Sequence, residues 1–229
     1  MRPEIVPLFW LAVTLVSYCL SRWIDARLHQ WWTSPLLLTF GFCLTLALVL
    51  HASYHDYLSG TFWLGTLLGP ATVAFALPIY EKREMIRRYW PTLAVGVVAG
   101  STISIISSLL LAHWLGLAPD VRLSLVPRSI TTPFAMAVSG GIGGIPGLTA
   151  TCVILTGLCG GAVGELLLKW LPLRSSFSRG ALFGMGAHGC GAAKAREVGV
   201  EEGSIAGLVM VLAGLANVAF APVLAILLR

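Results

Sequence analysis

Charged residues are scarce in this sequence. Lysine, arginine, aspartate and glutamate make up 11% of the 229 residues, whereas a soluble domain usually carries about a quarter. With so few charges the chain cannot cover a globular surface with polar groups, and its mean hydropathy is +0.85. Most of its surface must therefore face lipid, and we expect a protein embedded in a membrane.

Paired cysteines are also missing. The five cysteines include no C-x-x-C pair and no zinc spacing, and four of them lie in strongly apolar or glycine-rich stretches. Cysteine in such surroundings behaves as a small hydrophobic residue. The pattern implies no disulfide framework and no metal site, and we expect no cofactor.

The net charge of +5 does not indicate nucleic-acid binding. The cations lie mostly in short gaps between apolar runs, as in membrane proteins that retain positive charge on the cytoplasmic side. The densest group lies in EKREMIRRYW (81–90), where two glutamates dilute it. A lipid-headgroup or topology role is favoured over a polyanion site, and no nucleic-acid partner is expected.

Long apolar runs occupy most of the chain and predict an all-α polytopic membrane protein with a single transmembrane domain over 1–229. Sheet is excluded because open edges cannot face lipid and the runs do not alternate as barrel strands would. Charge asymmetry favours seven spans, although the seventh element could also be re-entrant. About seven to eight elements are predicted: 5–20, 34–50, 61–80, 91–115, 125–138, 145–171, 177–196 and 204–228.

A weak internal repeat is visible at an offset of 120 residues. It aligns Gly69 of LGPATVAFA with Gly189 of HGCGAAKA and places the first three elements over the fifth, sixth and seventh. We therefore predict two structural repeats, about 1–115 and about 120–229, each with interrupted helices. Paired interrupted segments of this kind are typical of the binding sites of secondary transporters.

Four stretches inside apolar runs contain glycine or proline residues that disfavour a continuous helix: LLGPATVAFALP (67–78), VPRSITTPFAM (126–136), GGIGGIPGLTAT (140–151) and GMGAHGCGAAKA (184–195). Glycine and proline at membrane depth free backbone polar groups, which are tolerated where they line a cavity or meet a ligand. Helix starts present N–H groups to an anion, and Arg128 could add a bidentate contact. A small carboxylate fits this chemistry.

The motif GMGAHGCGAAKA matches G-x-G-x-x-G, but a nucleotide loop needs a preceding parallel strand, which this chain lacks. His188 has no second ligand at metal spacing. It is either a proton-coupling or substrate group or a helix-packing histidine, and the sequence leaves both open. No acid–base pair for catalysis is found, so no enzyme is predicted.

Other polar and small residues have structural interpretations. Glu165 is predicted to pair with Lys169 one turn later. The acidic residues at 197, 201 and 202 are interpreted as a solvated connection. The pairs Gly157/Gly161 and Gly160/Gly164 are predicted to pack helices together.

Together, LLGPATVAFALPIY, PRSITTPFAM, GGIPGLTA and AHGCGAAKA, in this order, resemble the LrgB/CidB family of bacterial membrane proteins, in particular its YohK-like inner-membrane branch. The resemblance covers essentially the whole chain. Ala192 departs from the threonine common in the family, and Cys190 from its isoleucine. The resemblance implies a multi-pass protein of the bacterial inner membrane that modulates murein hydrolase activity and autolysis, with a small LrgA/CidA-type membrane partner.

The family is also similar to the C-terminal half of the plastidial glycolate/glycerate translocator, which implies transport of small 2-hydroxy or 2-oxo monocarboxylates. We therefore predict a secondary transporter, expected to be a homo-oligomer. A holin- or antiholin-like regulator without solute transport is the alternative. The predicted substrate-binding residues, combining the anion-site argument with the family motifs, are Pro70, Thr72, Arg128, Ser129, Thr131, Thr132, Gly144, Thr149, His188, Gly189 and Gly191.

Overall fold

The computed structural model describes residues 5–28, 33–74 and 76–227. Every regular element in these ranges is an α-helix, which confirms the predicted all-α class. The helices are α1 Ile5–Leu28, α2 Pro35–Val49, α3 Tyr54–Thr66, α4 Leu68–Ala74, α5 Ala76–Glu81, α6 Arg83–Trp114, α7 Pro119–Leu125, α8 Thr132–Ile142, α9 Pro146–Trp170, α10 Ser176–Val198 and α11 Val200–Leu227.

Four of the described helices are long and apolar enough to cross a membrane: α1 from Val6, α6, α9 and α11. α2 is apolar but shorter, with 15 residues. The chain is therefore a helical membrane protein by length and composition. The predicted count of seven to eight membrane elements and the two repeats stay predictions.

The chain forms two compact units, residues 1–71 and 72–229. In the first unit, α1 packs against α2 and α3. Trp10 is 2% exposed, and its ring meets Tyr57 edge to face with centroids 5.5 Å apart. A Cβ at Gly60 would overlap the Pro7 carbonyl, so glycine allows α1 and α3 to approach closely.

A capping box starts α3. The Asp56 backbone N–H donates to Ser53 Oγ at 3.2 Å, and the Ser53 backbone N–H donates to Asp56 Oδ2 at 3.0 Å. These reciprocal bonds satisfy two N–H groups that a helix start leaves without partners. Hydrogen bonds from the side chain and backbone of Ser53 hold the pKa of Asp56 below its usual 3.8.

In the second unit, an apolar core joins α6, α8, α9 and α11. Its buried members include Val97, Val126, Ile130, Val153 and Ala213. Met185 of α10 packs against the same cluster. The segment before α8 and the glycine-rich part of α10 therefore share one core.

The predicted helix interruptions are confirmed within the described residues. At the start of the run over 67–78, Leu67 ends α3 and separates it from α4. Residues 126–131 separate α7 from α8, and Gly143 ends α8 with φ +92°. α10 is broken at His188, whose φ of 39° and ψ of −118° are not helical.

The break turns α10 into a helical hairpin. Gly191 lies against the carbonyl of Phe183, although eight residues of continuous helix would separate them by about 12 Å. Phe183 also shares a buried cluster with Ala195 and Ala206. Residues 176–187 and 189–198 are therefore antiparallel half-helices, with His188 at the tip, as expected of a re-entrant element.

Glycines pack this hairpin against its neighbours. A Cβ at Gly157 would lie 2.8 Å from His188 Cε1, one at Gly160 would overlap the Gly186 carbonyl, and one at Gly164 would lie 2.6 Å from Phe183 Cε1. The packing role predicted for the α9 glycines is confirmed at these positions, because only a helix without side chains there allows such an approach.

Two predictions about acidic residues were wrong. Glu165 pairs with Lys194 of α10 at 2.8 Å rather than with Lys169, because the hairpin brings its second half beside α9. Glu202 is not solvated: its side chain is 7% exposed and pairs with Arg179 at 2.6 Å. The two pairs join neighbouring helices near the open end of the hairpin.

Candidate functional site

Arg128 extends from the interrupted segment before α8 toward two hydroxyl groups. Its Nε donates to Ser108 Oγ of α6 at 2.7 Å, and Nη1 lies 3.4 Å from Thr156 Oγ1 of α9. Ser108 in turn donates to the carbonyl of Ser104 at 2.7 Å. The arginine is half-buried, with one firm contact and one at the long limit of a hydrogen bond.

His188 lies at the tip of the α10 hairpin and is 3% exposed. Its Nε2 is buried and has no hydrogen-bond partner among the described residues. Its positive φ is a conformation that non-glycine residues rarely adopt. Strain and an unsatisfied buried polar atom at one residue are typical of functional sites.

Arg128 and His188 approach the same level of α9. Arg128 contacts Thr156, and His188 lies against the adjacent Gly157. These residues are the eleventh and twelfth of the 25 in α9, so they lie at its midpoint. The second and fourth interrupted stretches of the sequence therefore reach the centre of the same spanning helix.

One helix start follows His188, and another begins four residues after Arg128. α8 begins at Thr132 after the N-cap Thr131, whose side chain makes no capping hydrogen bond. The second half of α10 begins at Gly189, directly after His188. Ser129, between Arg128 and α8, is 8% exposed. A helix start carries partial positive charge, so this arrangement adds to the field of Arg128.

Gly144 and Thr149 lie in a separate hydroxyl network. Thr149 is fully buried, and its Oγ1 lies 2.6 Å from Ser139 Oγ and 2.9 Å from the Ser124 carbonyl. A Cβ at Gly144 would lie 2.6 Å from Ser139 Oγ. These contacts hold the turn between α8 and α9 against α7, which gives both residues a role inside the fold.

The remaining predicted site residues occupy different settings. Pro70 is exposed in α4, and the side chain of Thr72 lies outside the described part of the structure. Gly189 has open space where a Cβ would be, whereas Gly191 packs on the carbonyl of Phe183. Gly191 therefore closes the hairpin, while Gly189 leaves room beside His188.

Sequence reasoning missed Ser108 and Thr156, the two hydroxyl partners of Arg128. Ser108 lies within an uninterrupted apolar helix and carries no motif that could have identified it. Thr156 directly precedes Gly157, one of the glycines predicted to pack helices together, and this neighbour is the one signal in the sequence that could have identified it.

A cavity of about 230 Å³ lies between α6 and α11, lined by residues that include Ser101, Ile105 and Asn217. The Asn217 amide donates to Ser101 Oγ at 2.8 Å. Ser101 and Ser108 are seven residues apart, on one face of α6 and about 10 Å from each other. The cavity therefore opens on the face of α6 that also meets Arg128.

The chemistry of this region suits a small anion. It combines a guanidinium, hydroxyl groups and an unpaired imidazole nitrogen around the centre of α9, and a helix start follows both Arg128 and His188 in the chain. Within residues 5–28, 33–74 and 76–227, no three histidine, cysteine, aspartate or glutamate side chains form a cluster that could hold a metal ion.

Comparison with known proteins gives the same family as the sequence motifs. The chain matches the LrgB-like family over residues 14–227. It is 40% identical to the uncharacterized protein YwbG of Bacillus subtilis (strain 168), over 93% of this chain and 95% of that protein. It is 32% identical to the uncharacterized protein YxaC of the same organism, over 97% and 96%. No solved structure matches. The chain belongs to the LrgB-like family.

Proposed function

We propose that this protein is a non-enzymatic secondary transporter of small monocarboxylates such as glycolate, glycerate or pyruvate. It would act as a multi-pass protein of the bacterial inner membrane. The observation that carries the proposal is the meeting of Arg128 and His188 at adjacent residues in the middle of α9. Intramembrane ionisable residues mark substrate paths by default.

Arg128 is the carboxylate receptor in this proposal. Its Nε is fixed by Ser108, which orients the guanidinium plane. The 3.4 Å contact to Thr156 is weak, so a carboxylate oxygen can replace it with a charge-assisted bond of higher strength. The start of α8 would stabilise the same negative charge.

His188 is the second contact. A buried polar atom without a partner destabilises a fold by about 1–3 kcal/mol, and a residue in a sparsely populated backbone conformation adds a similar amount. A solute oxygen that bonds with Nε2 would offset the first of these costs. The hydroxyl or keto oxygen at carbon 2 of a small acid is the natural partner for that atom.

The hairpin supplies a means of access to the site. Its two halves pack on α9 and α11 through glycines, and its tip carries His188. Movement of the interrupted elements would open the site alternately to each side, as expected of a protein with paired broken helices. We propose that the effect on murein hydrolase activity that the family implies follows from solute transport, with or without a small LrgA/CidA-type partner.

Uptake by proteoliposomes tests the proposal. Wild-type protein should exchange labelled glycolate, glycerate or pyruvate across the bilayer. Arg128→Gln should reduce the exchange at least tenfold, because a hydrogen bond to a charged group contributes roughly 1.5–3 kcal/mol. Arg128→Lys should retain part of the activity, and Lys169→Gln, an exposed cation at the end of α9, should retain all of it.

Two results would contradict the proposal. The first is the absence of uptake of every short monocarboxylate by wild-type protein that is folded and correctly inserted. The second is leakage of unrelated solutes from the same vesicles together with large oligomers, which would favour the holin- or antiholin-like alternative.

A further inference from the structure

The start of α6 extends beyond what a bilayer core can hold. α6 has 32 residues, or about 48 Å of helix, against a hydrocarbon thickness of roughly 30 Å. Its charged residues lie at the first three turns, which contain Arg83, Arg87 and Arg88. These turns therefore lie at the level of the lipid headgroups.

The three arginines are exposed on the first two turns of α6 and make this end of the helix a basic surface, with Arg88 about 100° round the helix from Arg87. Arg83 and Arg87 are four residues apart on one helix face, where like charges repel each other. Glu81 and Glu84 lie nearby and are also exposed. Among the described residues, no ion pair joins either glutamate to these arginines, so the glutamates dilute the positive charge without occupying the guanidinium donors.

Aromatic rings hold two of these arginines in place. The guanidinium of Arg83 lies 4.6 Å from the centroid of the Tyr80 ring, and that of Arg88 lies 5.4 Å from the Tyr89 ring. Tyr80 and Trp90 are 67% and 63% exposed. Exposed tyrosine and tryptophan concentrate at the membrane interface, which places the basic surface at the same depth.

The start of α10 adds to this surface. Tyr89 stacks on Phe177 with ring centroids 4.9 Å apart, so α6 and α10 begin side by side. Arg174, just before α10, is exposed. Arg179 donates from Nε and Nη2 to Glu202, so those donors are occupied. The cations that a ligand at this surface could meet therefore include those of α6 and Arg174.

We propose that the arginines at 83, 87, 88 and 174, with the rings of Tyr80 and Trp90, form a binding site for the headgroup phosphate of an anionic phospholipid. The guanidinium groups donate to phosphate oxygens, and the rings pack against the upper acyl chains. This inference does not depend on the transport proposal.

Lipid binding to purified, delipidated protein in detergent tests the site, with native mass spectrometry to count bound phosphatidylglycerol and phosphatidylcholine. Arg87→Gln/Arg88→Gln should weaken phosphatidylglycerol binding roughly 25-fold, at about fivefold for each arginine. Arg87→Lys/Arg88→Lys should lose far less. The matched control is Arg22→Gln/Arg27→Gln, which also removes two exposed arginines, one of them, Arg27, over an aromatic ring, that of Trp23 at 4.2 Å.

A salt titration of the wild type keeps the test informative if the double variant fails to fold. Binding of phosphatidylglycerol should weaken strongly between 0.05 and 1 M salt, because exposed charges are screened. Binding that is insensitive to salt, equal for the two lipids, or reduced as much by Arg22→Gln/Arg27→Gln as by Arg87→Gln/Arg88→Gln overturns the inference.

Discussion

Replacement of His188 by glycine and by alanine separates backbone strain from side-chain function. At an ordinary helical position, alanine is more stable than glycine by about 0.5–1 kcal/mol. At His188, φ is 39°, and a residue with a Cβ in the left-handed region costs roughly 1–2 kcal/mol. The order should therefore reverse, with His188→Gly more stable than His188→Ala.

Thermal unfolding of the two variants in the same detergent measures this difference. A gap of roughly 1–2 kcal/mol corresponds to about 2–8 °C for a chain of this size. Ala193→Gly is the control, because Ala193 is exposed on the second half of α10; it should lower the melting temperature. If His188→Ala is as stable as His188→Gly, the backbone at the hairpin tip is not strained as described. Both variants should bind the solute more weakly than the wild type.

Three further perturbations test the packing, the helix cap and the function. Gly160→Ala places a methyl group against the carbonyl of Gly186 and should destabilise the protein by about 1–3 kcal/mol, whereas Gly186→Ala enters open space and should be tolerated in the same unfolding assay. The capping box keeps the pKa of Asp56 below 3.8, so the contribution of the Asp56 carboxylate is present above pH 3.8 and lost as the pH falls through the folded-state pKa; Asp56→Ala should lower the melting temperature at pH 7, and its difference from the wild type should shrink as the pH falls below 3.8. In growing cells, Arg128→Gln should alter the autolysis rate as a deletion does; a variant with the wild-type rate would separate autolysis from transport.

The sequence was sufficient for the fold class and for most helix breaks. Long apolar runs with few charges and no alternating pattern favour helices in lipid. The prolines around Arg128 and the glycines around His188 mark the places where helices are interrupted. The pairing of helices was less predictable. Glu165 has a basic residue one turn away at Lys169, but its ion-pair partner in the structure is Lys194. The hairpin in α10 brings Lys194 beside α9, and the spacing of residues along α9 contains no information about that hairpin.

The candidate site could be predicted only in part, because some of its residues have no distinctive sequence context. Arg128 and His188 stand in unusual sequence contexts, so both were identified. Ser108 lies in a regular apolar helix, and only the three-dimensional contact with Arg128 distinguishes it from other serines. Thr149 has the sequence context of a ligand residue, but its hydroxyl lies in the buried network beside Ser139.

Equilibrium binding of labelled glycolate, glycerate and pyruvate to purified protein examines the proposed anion site without the complications of vesicle leakage. At least one of these acids should bind the wild type saturably. Binding should be at least tenfold weaker in Arg128→Gln, roughly 2- to 12-fold weaker in His188→Gly, and unchanged in Lys169→Gln. Equal binding by all four folded proteins, or no saturable binding by the wild type, would contradict a carboxylate site at the centre of α9.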